Sequence, residues 1–363
     1  MTRTWVRSAP FDLTLLVGPP ALAALAVWLV PALRSGEVPP WGWLVLVVGV
    51  DVAHVWSTLW RTYLDPAQLA RRPGLYATAP VVCWAAGALL YKAGGAALFW
   101  RALAYLAVFH FVRQQWGFLR LYQRFEGRPS RLDDALDRAA LYGGMLYPLV
   151  YWHASHPRPF EWFVPGDFAA LPAALAGPAG ALYAAVLAAW VLRQAARARR
   201  ERLHPGRLLV VAGTAAAWWT GIVACESDVA FTVTNVLAHG VPYFALLWLS
   251  TARPPGRAAA WPKAAWAAAF LLAPLGLAYA EEGLWDFFIW REHAEVFFGW
   301  TGAAEPDLGP APLALLVPLL ALPQSTHYVL DAFIWRLDGS DSALSAALLG
   351  VDPEGPIKDN RHS

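Results

Sequence analysis

Ten stretches of this sequence are each long and apolar enough to cross a hydrocarbon layer, and that recurrence constrains the fold more tightly than any motif does. A spanning helix needs about 20 mainly apolar residues, since each residue advances roughly 1.5 Å through a layer about 30 Å thick. The segments 11–33, 41–64, 74–94, 96–122, 136–152, 170–192, 207–225, 229–250, 264–280 and 310–335 meet that need. Over 363 residues, 58% are hydrophobic and only 15% charged, against about 25% charged in ordinary soluble domains, so lipid is the solvent for most of the surface. The expected fold is all-α: a polytopic integral membrane helical bundle of about ten transmembrane helices. Residues 1–340 form its single transmembrane domain and 341–363 a short polar C-terminal tail. The first segment is too long for the apolar core of a secretory signal and is expected to remain as a span.

The basic residues test this arrangement independently, because loops on the cytoplasmic side of a membrane hold the excess of Lys and Arg. Arg3 and Arg7 precede the first segment, Arg61, Arg71 and Arg72 follow the second, and Arg120, Arg124, Arg128, Arg131 and Arg138 surround the junction of the fourth and fifth. Arg193 to Arg207 follow the sixth, Arg253, Arg257 and Lys263 the eighth, and Arg336, Lys358 and Arg361 the tenth. These connections alternate, which places both termini in the cytoplasm and assigns the protein to a membrane of the bacterial inner type. The opposite connections carry Glu226, Asp228 and the acidic group Glu281, Glu282, Asp286, Glu292 and Glu295. Residues Leu284 to Trp300 read as an interfacial helix rich in Trp and Phe. Arg61, Arg120 and Arg336 close their segments as snorkelling anchors. Prolines in or beside the apolar segments, Pro19, Pro20, Pro148, Pro172, Pro178, Pro242 and Pro323 among them, are expected to kink some of the helices.

Composition also excludes functions. A net charge of +2 with no basic run interleaved with aromatics gives nucleic acid nothing to bind. The only cysteines, Cys83 and Cys225, are far from any CxxC spacing, so neither a disulfide scaffold nor a thiolate metal site is implied.

Ionisable side chains inside spans are costly, and each is a functional-site hypothesis. Four histidines qualify: His54 in DVAHVWSTLWR, His110 in VFHFVRQQWGF, His239 in TNVLAHGVPYF and His327 in QSTHYVLDAFIWR. All four lie in even-numbered segments, which run in the same direction. They stand 13, 14, 10 and 17 residues from the start of their segments. At 1.5 Å per residue that is roughly 15 to 26 Å from the outer edge, one layer near the midplane. Polar neighbours three or four residues away share a helix face with each: Asp51 with His54, Arg113 and Gln114 with His110, Asn235 with His239, Gln324 and Asp331 with His327.

Four imidazoles with one or two carboxylates suit a redox or Lewis-acid metal, because a ligating ring passes its other N–H to a carboxylate, carbonyl or amide. The expected metal ligands are His54, His110, His239 and His327. Asp51, Asp331 and Arg113 form the expected catalytic set, with Arg113 requiring an anion inside the bundle, and Gln114, Asn235 and Gln324 support the cofactor. Non-haem iron is the expected cofactor, with haem, copper or zinc as alternatives. Membrane lipid, a lipid-soluble substrate and an electron donor are the expected partners of an oxidoreductase built this way, and a transporter with a midplane His/Asp/Arg site is the rival. A second, outer metal site could form from His153, His156 and His293 with Glu292 or Glu295, while His204 and His362 read as exposed. The chain has none of the HxxxH or HxxHH boxes of membrane di-iron desaturases. Lone histidines on separate helices resemble, in layout only, haem A synthase, cytochrome b proteins and the bacterial membrane carotene dioxygenases.

Overall fold

The structure, a computed structural model, describes residues 4–126, 129–251, 261–297, 299, 306–337 and 341–350. Its described residues form helices and connecting turns, with no strand among them. The main helices are α1 (Ala9–Leu16), α2 (Pro19–Leu29), α3 (Pro40–Arg61), α4 (Pro73–Glu126), α5 (Arg131–Ala154), α6 (Ala173–Ala198), α7 (Pro205–Ala224), α8 (Asp228–Ser250), α9 (Lys263–Trp290), α10 (Pro310–Leu320), α11 (Leu322–Ile334) and α12 (Ser342–Leu349), with short helical turns at Pro31–Leu33 and Pro66–Arg71.

Among the described residues, six single helices are long and apolar enough to cross a membrane, or up to eight if the bent pairs α1/α2 and α10/α11 each count as one span. The reading of ten separate segments differs for two physical reasons. Segment 136–152 belongs to α5, whose first turns carry Arg131, Asp133, Asp134, Asp137 and Arg138. Segments 74–94 and 96–122 are the two arms of α4, joined at Gly94 and Gly95. Gly95 has φ +67°, a left-handed conformation that a Cβ disfavours. The chain doubles back there: Phe99 of the second arm packs against Tyr91 of the first, ring centroids 6.1 Å apart. Pro19 and Pro20 open α2 at a 62° bend, and Pro323 lies at the 44° bend between α10 and α11, whereas Pro148 and Pro242 are accommodated inside continuous helices.

Position in the bundle follows from composition around each helix. In the most apolar stretch of α8, 78% of residues are buried, against 11% in α6, so α8 is central and α6 peripheral. Leu29, Val81, Leu89, Leu182 and Leu192 are more than half exposed, an outer surface fit for acyl chains rather than water. Gly240 on α8 permits close approach to α3, because a Cβ there would stand 2.7 Å from Val50 Cγ1.

Buried charges lock the end opposite the acidic connections. Asp137 is fully buried and accepts from Gln123 Nε2 at 3.0 Å, Trp190 Nε1 at 2.8 Å and Arg207 at 2.7 Å, joining α4, α5, α6 and α7. Asp12 accepts from the Val6 amide and the Tyr122 hydroxyl, each at 2.6 Å, which fixes the N-terminal segment to α4. Arg61 does not snorkel. It is 2% exposed, donates to Ile334 O and pairs with Asp341 Oδ2 at 2.9 Å. Burial opposes ionisation of Asp341, but the Leu344 amide, Arg61, Gln68 and Arg71 outweigh it and hold that carboxyl below its usual range. Arg120 and Arg336 keep exposed head groups.

Other sequence expectations are corrected by packing. Residues 342–349, assigned to a polar tail, form α12 with Leu344 and Leu348 in the core, while 351–363 lie outside the described residues. The interfacial helix from Leu284 is instead the last turns of α9, which ends at Trp290 before Arg291 at φ 59°. Phe298 and Trp300 lie outside the described residues, as do Arg3, Arg128, Arg253, Arg257, Lys358, Arg361 and His362. His204 is 7% exposed and caps α7 by accepting from the Arg207 amide, so it is a buried structural residue.

Candidate metal centre

The four midplane histidines come from α3, the second arm of α4, α8 and α11, and they meet. Each is buried, none more than 5% exposed, and one nitrogen from each lies within 4.8 Å of the other three. The Nε2 atoms of His54 and His239 are 2.9 Å apart, those of His239 and His110 3.2 Å, and those of His110 and His327 3.2 Å.

The three Nε2–Nε2 spacings are those of neighbouring ligands around a single ion. With metal–nitrogen bonds of about 2.0 to 2.1 Å, neighbouring ligands stand about 2.9 Å apart in a square plane and about 3.3 Å in a tetrahedron. The four-histidine group could therefore hold a metal ion.

The outer hydrogen bonds fix which nitrogen is free. Gln114 Nε2 donates to the backbone carbonyl of His239 at 3.1 Å, so its Oε1 must face His239 Nδ1, which it does at 2.5 Å. That Nδ1 therefore carries the proton, and His239 Nε2 presents a lone pair. A second chain fixes His327. Trp335 Nε1 and Tyr243 Oη both donate to Asp331 Oδ1, at 3.2 and 2.9 Å. Tyr243 then accepts from Thr58 at 2.8 Å, and Thr58 in turn accepts from His327 Nδ1 at 2.7 Å. His327 Nε2 is thus also a lone pair. His54 Nδ1 lies 3.7 Å from Asp51 Oδ1, and His110 Nδ1 3.7 Å from Asp331 Oδ2. The lone pairs of His239 and His327 thus face the Nε2 atoms of His54 and His110, and a cation between the rings would be held by all four.

Local helix geometry makes the arrangement possible. In α3 the turns widen to π type over Leu44–Val52, return to α at Ala53–Ser57, then tighten to 3-10 at Thr58–Arg61. Asp51, His54 and Thr58, spaced three and four residues apart, address the same centre from one helix face, and π turns such as Leu44–Val52 concentrate at functional sites. Phe111 stacks on the His239 ring at 3.8 Å between centroids, and Tyr328 lies 4.8 Å from His110.

A cavity of about 690 Å³ adjoins the centre, with Asp51, Phe111, Asn235, Gln324 and Tyr328 in its wall. Trp43, Trp100, Trp162, Trp285 and Trp290 also line it. Ligand pockets of about 300 to 1,000 Å³ hold small organic molecules, so the space suffices for one.

The supporting residues fall differently from the sequence expectation. Gln114, expected beside His110, crosses to His239. Asn235, expected to hold His239, leaves its Nδ2 without a partner at the cavity wall, and Gln324 donates to Tyr328 Oη at 2.9 Å. Arg113 is exposed on the outer surface of α4 and forms no ion pair with Asp51 or Asp331, so the expected internal anion is not there. The second, outer metal site does not assemble: His153 bonds Tyr105 and Leu149 O, and the described residues hold one metal-competent group, the central four. Thr58 and Tyr243 escaped the sequence reading, although each stands four residues beyond a ligand histidine, the spacing that shares a face.

No family model, curated protein or solved structure matches this chain.

Outer partners of metal-bound histidines usually contribute 10- to 100-fold in affinity. Gln114→Ala removes the acceptor from His239 Nδ1, and its metal affinity should fall by about that factor in a titration against a chromogenic chelator. An unchanged affinity would show that the Gln114 amide does not orient the ring.

Proposed function

We propose that the protein is a membrane-embedded, metal-dependent oxidoreductase in which His54, His110, His239 and His327 hold non-haem iron and the adjoining cavity admits a lipid-soluble substrate. The observation that carries this reading is the convergence of four buried imidazole Nε2 atoms inside an apolar helical bundle, beside a cavity with aromatic walls. A metal held by buried imidazoles within an apolar bundle suits oxidation of a molecule that partitions into lipid, and dioxygen also concentrates there.

The donor set favours direct coordination over haem. The rings converge on one point instead of facing in pairs across a slot, and spacings of 2.9 to 3.2 Å leave no room for a macrocycle. Iron, copper and zinc all accept imidazole, and iron is the choice that joins this ligand set to oxygen chemistry. Bound there, iron would supply one-electron exchange with dioxygen and substrate, its electrons coming from a separate donor. Asp331 and Tyr243 hold the His327 tautomer through Thr58, Gln114 holds that of His239, and Asp51 faces His54. Asn235 Nδ2 offers a hydrogen bond to an oxygen of the substrate, and Phe111 and Tyr328 form the apolar floor beside the ligand rings.

The same reading places ten spans in a bacterial inner membrane with both termini cytoplasmic, α5, each arm of α4 and each bent pair counting as a span. The alternation of basic connections supports it.

Elemental analysis and absorption spectroscopy of detergent-purified protein test the proposal. The expected result is about one iron per chain without a Soret band, and oxygen consumption when a reductant and a lipid extract are supplied. Protein that retains no transition metal, or holds zinc and consumes no oxygen after iron reconstitution, would sink it.

A further inference from the structure

The cavity beside the centre has a property that an apolar substrate does not require. Eight carboxylates line it, and no Lys or Arg does. Asp228 and Asp286 are occupied with backbone amides, at Val38 and at Glu292 and His293. Of the remaining six, Glu281 accepts from Trp56 Nε1 at 2.6 Å, Glu37, Glu161 and Glu292 are exposed, Glu282 is half-buried, and Asp51 lies 3.7 Å from His54 Nδ1. That Nδ1 atom is itself buried with no hydrogen bond of ordinary geometry, and it belongs to a ring whose other nitrogen faces the metal point.

A cleft lined by one sign of charge between low-dielectric walls focuses the field and raises the arrival rate of counter-ions by about 10- to 1,000-fold. The four-histidine centre, surrounded by apolar helices, needs such a path, since a bare divalent cation does not cross hydrocarbon. We infer that this acidic cavity is the loading route by which a divalent cation reaches the centre from the face of the membrane that carries the acidic connections. The inference rests on the metal-centre reading and adds the direction and means of loading. Glu161, Glu282 and Glu292 gather and pass the ion without ligating it in its final position.

Uptake kinetics test this without reference to catalysis. Full-length protein in detergent is stripped with a chelator and mixed with cobalt(II) chloride, whose visible bands report binding to imidazoles. The triple variant Glu161→Gln, Glu282→Gln, Glu292→Gln should bind the same amount of cobalt as the wild type but at an initial rate about tenfold lower. The wild-type rate should fall steeply between low salt and 1 M salt, where the Debye length is about 3 Å, and the variant rate much less. A control substitution on the opposite face, Glu201→Gln, should leave the rate unchanged. A triple variant that loads at the wild-type rate overturns the inference. So does one whose final cobalt content drops, which would make these carboxylates ligands or structural supports instead of a route. Stripped wild-type protein that binds no cobalt would refute the metal centre itself, and the loading route would fall with it.

Discussion

Replacing His239 with alanine is expected to cut the metal content of the purified chain from about one ion to below about a tenth of that. His239 is the hub of the centre: its Nε2 lies 2.9 Å from that of His54 and 3.2 Å from that of His110. Loss of an outer partner alone typically costs 10- to 100-fold in affinity, so loss of a ligand costs at least that much. The change is read by elemental analysis after equilibration at a fixed free metal concentration. His239 is fully buried, and the alanine variant could lose metal merely by failing to fold, so His110→Ala and His327→Gln are measured beside it and each is checked for monodisperse elution. A metal that binds only the folded state stabilises it by about 2.7 kcal/mol at 100 times its dissociation constant. Adding metal should therefore protect the wild type against heat and leave the three variants unprotected. Full metal content in all of them would exclude the site.

Asp137→Ala should be the most damaging single change away from the centre, destabilising the protein by about 3 to 5 kcal/mol. Three donors converge on that fully buried carboxylate: Arg207, Trp190 Nε1 and Gln123 Nε2. Removing it orphans the indole and amide donors, each worth about 1 to 3 kcal/mol. It also leaves Arg207, 1% exposed, with Glu126 as its remaining carboxylate. Thermal unfolding in detergent measures the loss. Combining Asp137→Ala with Arg207→Leu should recover part of it, because the uncompensated charge goes too. By contrast Arg138→Ala, which breaks an exposed pair with Asp134, should cost less than about 1 kcal/mol. Equal losses from the two single variants would show that Asp137 does not secure the bundle.

The identity of the four histidines was legible because a polar ring inside an apolar segment is conspicuous, and because counting residues along helices of one direction compares depths. Orientation was less legible. At about 100° per residue, Arg113 stands about 60° to one side of His110 and Gln114 about 40° to the other. His110 sits at the edge of the buried arc of α4, so Gln114 turns inward and Arg113 outward. Spacing from a neighbour cannot reveal which side is which until the packing partners are known. Cross-helix pairings were hidden for the same reason. Nothing local to Gln114 specifies a bond to a histidine 125 positions away, and nothing in Arg61 specifies Asp341. The length criterion also took no account of the charges in the first turns of α5, which are paired with other helices.

The ligands are supplied by α3, α4, α8 and α11, so the first and last of them are separated by most of the chain. During synthesis the nascent protein can insert its early helices one after another, yet it cannot chelate with the full set until α11 has entered the membrane. A chain interrupted anywhere before Leu322 would carry at most three of the imidazoles and never a complete cage. Acquisition of the ion thus becomes a signature of finished assembly, and a cell that degrades unmetallated copies would in the same act be removing the incomplete ones.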